Sequence, residues 1–292
     1  MSLITLINAS SINNFSDEKN FVGDFFCGII IKIFKEVFMI KKVFASVLML
    51  IIFLSAIKNV EAGHLEEILQ RGTIKIGTTG DYIPMSYLNK ETGEYEGIDA
   101  ELSKIIAESL GVKIEYVPTT WKTLSQDTLD GKFDIALCGI SRNYAREKIL
   151  EMSDGYGVGI FGKTILCRKS DAKKFKTLED INKPNVRVMI NPGGTNEKFA
   201  RENLKKATLI VYNENAEIPH QISIGNADIM ITETVEALNY IKIDKNLAAP
   251  LINEPFTKHS CGILMQKGDQ EFLNYINFVL AELRMDGTSE KL

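Results

Sequence analysis

Two short segments of this chain carry the residue types best suited to chemistry. Asn191-Pro-Gly-Gly-Thr-Asn196 combines a glycine pair with hydroxyl and amide side chains, and Ile231-Thr-Glu233 ends in a carboxylic acid. Glycines that open a helix leave backbone N–H groups free, and the helix dipole favours an anion there. An acid beside such a seat either accepts hydrogen bonds from a ligand's ammonium group or gives a proton to an anionic substrate. The first role belongs to a receptor and the second to an enzyme.

The elements that must position these segments follow from the apolar periodicity of the chain. After a helical turn at Leu65–Leu69, strand patterns at 73–77, 114–117 and 133–137 alternate with helical spacing over Ala100–Leu110 and Trp121–Leu129. This succession predicts a parallel sheet with helices on its faces.

A second unit of the same kind follows Ile160–Cys167, which we interpret as one crossing strand. Its predicted strands and helices alternate through 178–181, 186–190, 195–205, 208–212, 217–224, 229–232 and 235–240. A strand at Gly262–Met265 and a helix at Gln270–Arg284 then return to the first unit. We therefore predict a first lobe over residues 63–162, a second over 163–255 and a return to the first over 256–292. The ligand cleft should lie between the lobes, at the carboxyl ends of the strands.

Residues 39–62 have the features of a secretory signal. Met39-Ile-Lys-Lys42 is cationic, Val43–Ala56 is apolar, and Val60-Glu-Ala62 has the small residues that suit cleavage after Ala62. The apolar run is shorter than the roughly twenty residues that span a bilayer. We expect export to the periplasm and interpret residues 1–38 as a spurious or disordered extension, with an anchoring segment as the alternative.

Composition narrows the class of function. A formal net charge of −4 argues against a nucleic-acid partner, because such proteins usually carry a basic footprint. Cys138, Cys167 and Cys261 have no metal-type spacing, and the three histidines are dispersed, so no metal site is expected. One disulfide among these cysteines is compatible with an oxidising compartment.

Motifs along residues 63–292 resemble those of the extracellular solute-binding proteins of family 3. The motifs are Gly77-Thr-Thr-Gly-Asp81-Tyr82-Ile-Pro84, Gly97-Ile-Asp99, Gly131-Lys-Phe-Asp134, the segment from Ser141 to Arg146, and Asp286-Gly287. The resemblance implies an α/β protein of the two-lobed periplasmic binding protein (Venus-flytrap) fold, type II. Such proteins close on a small ligand, usually an amino acid, in the cleft between the lobes.

Within that family the chain is most similar to the exported cyclohexadienyl dehydratases. The narrower match lies in Thr78–Tyr82, Val117–Trp121, Gly139–Ser141, Asn191–Glu197 and Thr232-Glu233. The resemblance implies a small carboxylate substrate, prephenate or arogenate, and a reaction that requires no metal or cofactor. The alternative is a non-catalytic amino-acid receptor, and only that alternative would require an ABC transporter permease as partner.

The resemblance also assigns the residues that bind a ligand carboxylate. Arg146 would grip two oxygens with its planar guanidinium, and Ser141 and the Gly139 backbone would donate to the same group. In the second lobe, the glycine pair and Thr195 would form the opposing anion seat. The residues of that seat are Gly193, Gly194 and Thr195, with Asn191 and Asn196 as side-chain partners. An ordinary turn and helix cap is the alternative interpretation of this segment.

Aromatic and charged residues complete the candidate site. Tyr82 and Trp121 would sandwich the ligand ring, unless they only pack in the core. We expect Asp81 to be structural. Arg142 departs from the family, which more often has a small or β-branched residue there, and adds charge at the cleft rim. The side chains of Lys258 and His259, near the second crossing, are of a type that is usually only solvated.

Glu233 distinguishes the two functions. Its position corresponds to a family aspartate that binds an α-ammonium group, and glutamate moves the carboxyl about 1.5 Å further into the cleft. Beside a bound dianion in a dry cleft, like charge and burial would favour the protonated carboxyl. We therefore expect Glu233 to be protonated when a dianion is bound and to act as the general acid.

Overall fold

The computed structural model describes residues 27–49 and 63–292, and the chain divides into two units between Glu61 and Ala62. The described part of the first unit is a helix, α1, over residues 27–49. Residues 27–38 of the extension that we interpreted as spurious or disordered are helical, and that interpretation stays a prediction. The rest of that extension, part of the predicted signal and the cleavage point after Ala62 lie outside the described residues. Within the described ranges, no helix is long and apolar enough to cross a membrane.

The first lobe of the second unit is built on a five-stranded sheet. Its strands are β1 (Thr73–Thr78), β5 (Lys113–Pro118), β6 (Ile135–Ala136), β7 (Glu151–Met152) and β15 (Leu264–Met265). Their order is β5-β1-β6-β15-β7, with β1 parallel to β5 and β6, and β15 antiparallel to β6 and β7. The late strand β15 thus joins a sheet whose other strands come from the start of the unit.

Helices and a small three-stranded sheet complete this lobe. The helices are α2 (His64–Arg71), α3 (Ile98–Leu110), α4 (Leu124–Leu129), α5 (Tyr144–Ile149) and α10 (Gln270–Met285); the small sheet holds β2 (Asp81–Tyr82), β3 (Ser86–Leu88) and β4 (Tyr95–Glu96). Apolar residues of α3 and α10 pack with those of β1 in one buried core. The carboxyl ends of β1 and β6 lead directly to Tyr82 and Gly139.

The second lobe has its own five-stranded sheet. The strands are β9 (Lys163–Arg168), β10 (Arg187–Ile190), β11 (Thr208–Val211), β12 (Ile229–Glu233) and β13 (Leu247–Ala248); the helices are α6 (Leu178–Ile181), α7 (Thr195–Asn203), α8 (Ile218–Ser223), α9 (Thr234–Ile243) and two 3-10 helices, Lys169–Lys174 and Asn215–Glu217. The strand order is β11-β10-β12-β9-β13, and β9 is antiparallel to β12. Apolar clusters cover both faces of this sheet, so its central strands are buried on both sides.

Two chain crossings join the lobes and pair with each other as β8 (Tyr156–Phe161) and β14 (His259–Cys261). The single strand predicted over Ile160–Cys167 is wrong, because the chain breaks into β8 and β9 at Gly162. A Cβ atom at Gly162 would lie 1.9 Å from the Thr257 carbonyl oxygen, so the two crossings meet there through backbone. Lys163 follows the break as the first residue of β9.

Most other predicted elements are confirmed with shifted ends. The helix predicted from Trp121 begins at Leu124, which leaves Trp121 in the preceding turn. The strand predicted over Phe133–Leu137 is only Ile135–Ala136. The sheet of β2, β3 and β4, and helix α5, were not predicted. The strand order agrees with the predicted lobe boundaries, which we retain as a proposal.

Candidate functional site

The centre of the cleft is a buried ion pair on neighbouring strands of the second lobe. Lys163 on β9 stands directly opposite Glu233 at the end of β12. The Lys163 ammonium donates to Glu233 Oε1 and to Thr195 Oγ1, the latter at 2.7 Å. Both charged side chains are about 5% exposed. Such a pair is stable only while both members are present, because burial makes an unpaired charge costly.

Two further groups approach the Glu233 carboxyl. Ser141 Oγ donates to Oε1 at 3.4 Å, and His259 Nε2 lies 3.4 Å from Oε2, within ion-pair range but without hydrogen-bond geometry. Burial raises the pKa of Glu233, but the positive charge of Lys163 and the His259 ring outweigh it and lower that pKa to about 2. Glu233 is therefore ionised in this structure. The protonated Glu233 expected with a bound dianion stays a prediction, and Lys163, which was not among the expected site residues, opposes it while the cleft holds no ligand.

An enclosed space of about 30 Å³ lies in front of Glu233. Its walls come from the first lobe and from the helix and strand ends of the second. The residues are Tyr82, Trp121, Gly139, Ser141, Asn191, Gly194, Thr195, Asn196, Asn215 and Glu233. The structure thus brings together the predicted ligand-binding residues and Glu233, except Arg146 and Gly193, which line the adjoining cavity.

Arg146 lines an adjoining, larger cavity of about 810 Å³ that shares Ser141, Gly194 and Thr195 with the small one. Helix α5 positions it, since the Asn143 side chain caps that helix by accepting from the Arg146 N–H at 3.0 Å. Its Nη1 donates to the Ser141 carbonyl oxygen at 2.8 Å. Burial lowers the pKa of the guanidinium, which is 9% exposed. The remaining guanidinium donors can serve a ligand carboxylate at the junction of the two cavities.

Gly139 does not have the predicted role of a backbone donor. Its N–H donates to Asp99 Oδ2, so it has no hydrogen left for a ligand. Gly139 adopts φ 69°, and a Cβ atom there would lie 2.4 Å from the Tyr82 ring. Glycine is needed at this position because it lets Tyr82 pack against the chain.

Tyr82 and Trp121 form a corner instead of the predicted sandwich. Their rings meet edge to face, with centroids 5.8 Å apart and planes at 81°. Trp121 Nε1 donates to Asp81 Oδ1 at 3.0 Å, which fixes the indole. The expectation that Asp81 is structural agrees with this contact. The two rings can contact a ligand ring on two sides, through one face and one edge.

The anion seat is smaller than predicted. Helix α7 begins at Thr195 after Gly194, with no side-chain cap, and its first N–H groups have no intrahelical partner. The N–H of Gly193, however, donates to Glu197 Oε2 at 2.6 Å and is not available.

The two predicted asparagine partners of this seat differ from each other. The Asn191 side-chain amide nitrogen donates to the carbonyl oxygens of Tyr212 and Asn213, so its donors hold the loop and are not available to a ligand. Asn196 Oδ1 is buried without a hydrogen-bond partner among the described residues and remains free for a ligand donor.

Sequence reasoning missed two site residues and undervalued a third. Lys163 was hidden inside the single predicted crossing strand, although a lysine next to Thr-Ile-Leu in a buried strand was a usable signal. Asn215 follows β11 and donates to the Asp81 carbonyl oxygen at 3.1 Å, which links the lobes. Asn215 lies shortly after a strand, as the other predicted site residues do, so the same position in the pattern could have identified it. His259, near the second crossing, was expected to be only solvated, yet it lies 3.4 Å from the Glu233 carboxyl. No group of three His, Cys, Asp or Glu side chains within 27–49 and 63–292 could hold a metal ion.

Known proteins share this fold and much of this sequence. A cyclohexadienyl dehydratase of Pseudomonas aeruginosa is 40% identical over 223 residues, which cover 76% of this chain and 82% of that protein. The L-cystine-binding protein TcyJ of Escherichia coli K12 is 25% identical over 233 residues, covering 80% and 85%. Among solved structures, the ancestral amino acid-binding protein AncCDT-1, a precursor of cyclohexadienyl dehydratase, superposes with a TM-score of 0.72 at 40% identity. That match covers 78% of this chain and 96% of the ancestral one.

These relatives include an enzyme and binding proteins on one two-lobed scaffold, so the fold alone does not decide between catalysis and binding. The profile of the bacterial extracellular solute-binding proteins, family 3, matches residues 74–292. The chain belongs to that family.

Proposed function

We propose that this protein is an exported, periplasmic cyclohexadienyl dehydratase that acts on prephenate, arogenate or both without a cofactor. The observation that carries the proposal is the Glu233 carboxyl, buried at the cleft beside Lys163, Ser141 and His259. The 40% identity to a dehydratase supports it.

The charges around Glu233 favour an anionic substrate over the ammonium group of an amino acid. A receptor needs a carboxylate that is free to accept from an ammonium, whereas Glu233 Oε1 already accepts from Lys163 and Oε2 faces His259. Lys163 would also repel a second cation in the same space. An anionic ligand meets Lys163, Arg146 and the start of α7, all of which attract negative charge.

Substrate binding would raise the pKa of Glu233, so that the carboxylate takes up a proton from solvent. A dianion beside Glu233 adds like charge, and a substrate carboxylate would compete for the Lys163 ammonium, which has three donors and uses two of them. Both effects raise the pKa of Glu233 from about 2, and its burial acts in the same direction. Glu233 would then bind a proton as the cleft closes over the ligand.

The reaction then requires one proton transfer and two bond cleavages. Glu233 gives its proton to the ring hydroxyl, the C–O bond breaks, and water leaves. The bond between the opposite ring carbon and its carboxylate also breaks, its electron pair enters the ring as the hydroxyl departs, and carbon dioxide leaves. The ring becomes aromatic, and Glu233 returns to the carboxylate that Lys163 stabilises.

Ligand entry would require the lobes to separate. Small-molecule sites usually have volumes of about 300–1,000 Å³, far more than the 30 Å³ in front of Glu233. Opening would merge this space with the 810 Å³ cavity along Ser141, Gly194 and Thr195. Arg146 would then stand at the entrance and guide one carboxylate inward.

The test is turnover of prephenate by the purified protein, followed as phenylpyruvate absorbance in alkali. We expect turnover by the wild-type protein and none by Glu233→Gln, with substrate binding by the variant within about tenfold of wild type. Glu202→Gln, which removes a carboxylate from the wall of the larger cavity, is the matched control and should retain activity. Turnover by Glu233→Gln would assign the acid to another residue.

The second candidate function is an amino-acid receptor that serves an ABC transporter. The likeness to AncCDT-1, named as an amino acid-binding protein, favours it. Tight calorimetric binding of an amino acid by a protein that does not turn over prephenate would support the receptor and overturn the dehydratase.

A further inference from the structure

His259 stands between Glu233 and the larger cavity. It begins β14, where it pairs with Phe161 of β8, and its side chain is 14% exposed. Its Nε2 lies 3.4 Å from Glu233 Oε2, and neither atom has a hydrogen-bond partner among the described residues. His259 lines the 810 Å³ cavity, whereas Glu233 lines only the enclosed space in front of it. The imidazole therefore connects the buried carboxyl with the more open side of the cleft.

The two oxygens of Glu233 have different surroundings. Oε1 accepts from Lys163 and Ser141, so a proton on that oxygen would displace hydrogen bonds. Oε2 has no hydrogen-bond donor and faces His259. A proton carried by Glu233 fits on Oε2, and the group best placed to deliver it is the His259 ring.

The dehydration consumes one proton in each turnover, and Glu233 is 4% exposed. We propose that His259 relays protons from solvent in the larger cavity to Glu233 Oε2. The proposal rests on the proposed function. The Nε2–H bond breaks as the Oε2–H bond forms, and the neutral imidazole then takes a proton from water. After Glu233 passes its proton to the leaving hydroxyl, the cycle repeats without any net change in the protein.

The charges that face His259 agree with this direction of transfer. Glu233 on β12 attracts the proton, while Lys163 on β9 repels a cationic imidazole. Arg142, Arg146 and Lys258 line the same cavity and add positive charge on the solvent side. His259 would act through Glu233 and is thus a positioning residue for the proton, without contact to the reacting atoms.

The experiment compares His259→Ala, His259→Gln and His220→Gln in the full-length protein with prephenate as substrate. His220 is exposed and lines neither cavity, which makes it a matched control. We expect both His259 variants to lose about 100-fold in kcat, a typical contribution for a positioned proton donor, with KM changed less than threefold. His220→Gln should match the wild-type protein.

Chemical rescue separates a relay from a structural role. His259→Ala leaves space open to the larger cavity, so added imidazole should restore kcat in proportion to the imidazolium concentration across pH. Wild type and His220→Gln should not respond. Wild-type kcat in both His259 variants, or a loss that imidazole does not restore, would overturn the relay and leave the dehydratase standing. No turnover by the wild-type protein would overturn the proposed function and the relay with it.

Discussion

Glu233 and Glu236 are two buried carboxyl groups three positions apart, and their ionisation differs. Glu233 is surrounded by Lys163 and His259, and its pKa is lowered to about 2. Glu236, on the first turn of α9, is fully buried and accepts a hydrogen bond from Thr232. Burial raises the pKa of Glu236 to about 8, and the negative charges of Asp81 and Glu233 act in the same direction. The difference teaches that the neighbouring charge, more than burial, decides whether a carboxyl in this cleft carries a proton.

Removing the cation should abolish that difference. Lys163→Met leaves Glu233 buried without its main counter-ion, and we expect a loss of about 3–5 kcal/mol in the free energy of unfolding at pH 7. The pKa of Glu233 should rise, so the variant should gain more stability than the wild type as pH falls from 7 to 5. Denaturant titrations at pH 5 and pH 7 measure both effects.

Two control variants separate the effect of the lost charge from other effects of the substitution. Lys205→Met, at an exposed position outside both cavities, should change stability by less than about 0.5 kcal/mol. The double variant Lys163→Met/Glu233→Gln should recover much of the loss, because no buried charge remains. Equal destabilisation of the single and double variants would show that packing of the lysine stem, and not its charge, stabilises the pair.

Glu236 should make the protein less stable as pH rises. Its pKa in the fold, about 8, is above the unfolded value near 4.5, so the folded state holds the proton over a range where the unfolded state has lost it. The stabilisation is complete below about pH 4.5 and is lost as pH approaches 8. Relative to Glu236→Gln, wild-type stability should decline by up to about 1.4 kcal/mol per pH unit in that window. A parallel pH dependence in the two proteins would show that Glu236 is ionised in the fold.

Charged side chains at the rim of the cleft should affect the protein less than the buried charges of Lys163, Glu233 and Glu236. Arg142 is exposed on the wall of the larger cavity, where water and salt screen it. We expect Arg142→Gln to lower kcat/KM for prephenate about two- to fivefold at low salt, and less at 0.5 M salt, because steering of an anion is screened. Steady-state kinetics at two ionic strengths test this, with Lys205→Gln as the control for loss of a distant charge. A salt-independent loss would instead indicate a direct contact with the substrate.

Local pattern in the sequence predicted the walls of the cleft well. Tyr82, Ser141, Asn191 and Glu233 follow strands, and the carboxyl ends of strands in such sheets meet at one edge. The resemblance to family 3 assigned these residues, and the alternation of strands and helices explains why they lie in one space. The same alternation predicted strand β15, through which the chain returns to the first lobe.

Contacts that depend on long-range register could not be predicted in this way. Lys163 meets Glu233 only because β9 runs antiparallel to β12 in a specific register, and the break at Gly162 that starts β9 comes from contact with Thr257. The Gly139 N–H is used by Asp99, which lies far away in sequence. Glu236 was not singled out from the sequence, because acidic side chains of helices are usually exposed. Its burial depends on how α9 packs on the sheet.

The pairing of β9 with β12 has a consequence for the working cycle. Lys163 and Glu233 lie on adjacent strands of one sheet in the second lobe, so a change in the distance between the lobes would not change their spacing. Ser141 and Arg146 belong to the first lobe. Under the proposed function, separation of the lobes during product release would leave the Lys163–Glu233 pair intact and would remove only the contacts made by the first lobe. The buried ion pair would then not have to form again in each turnover.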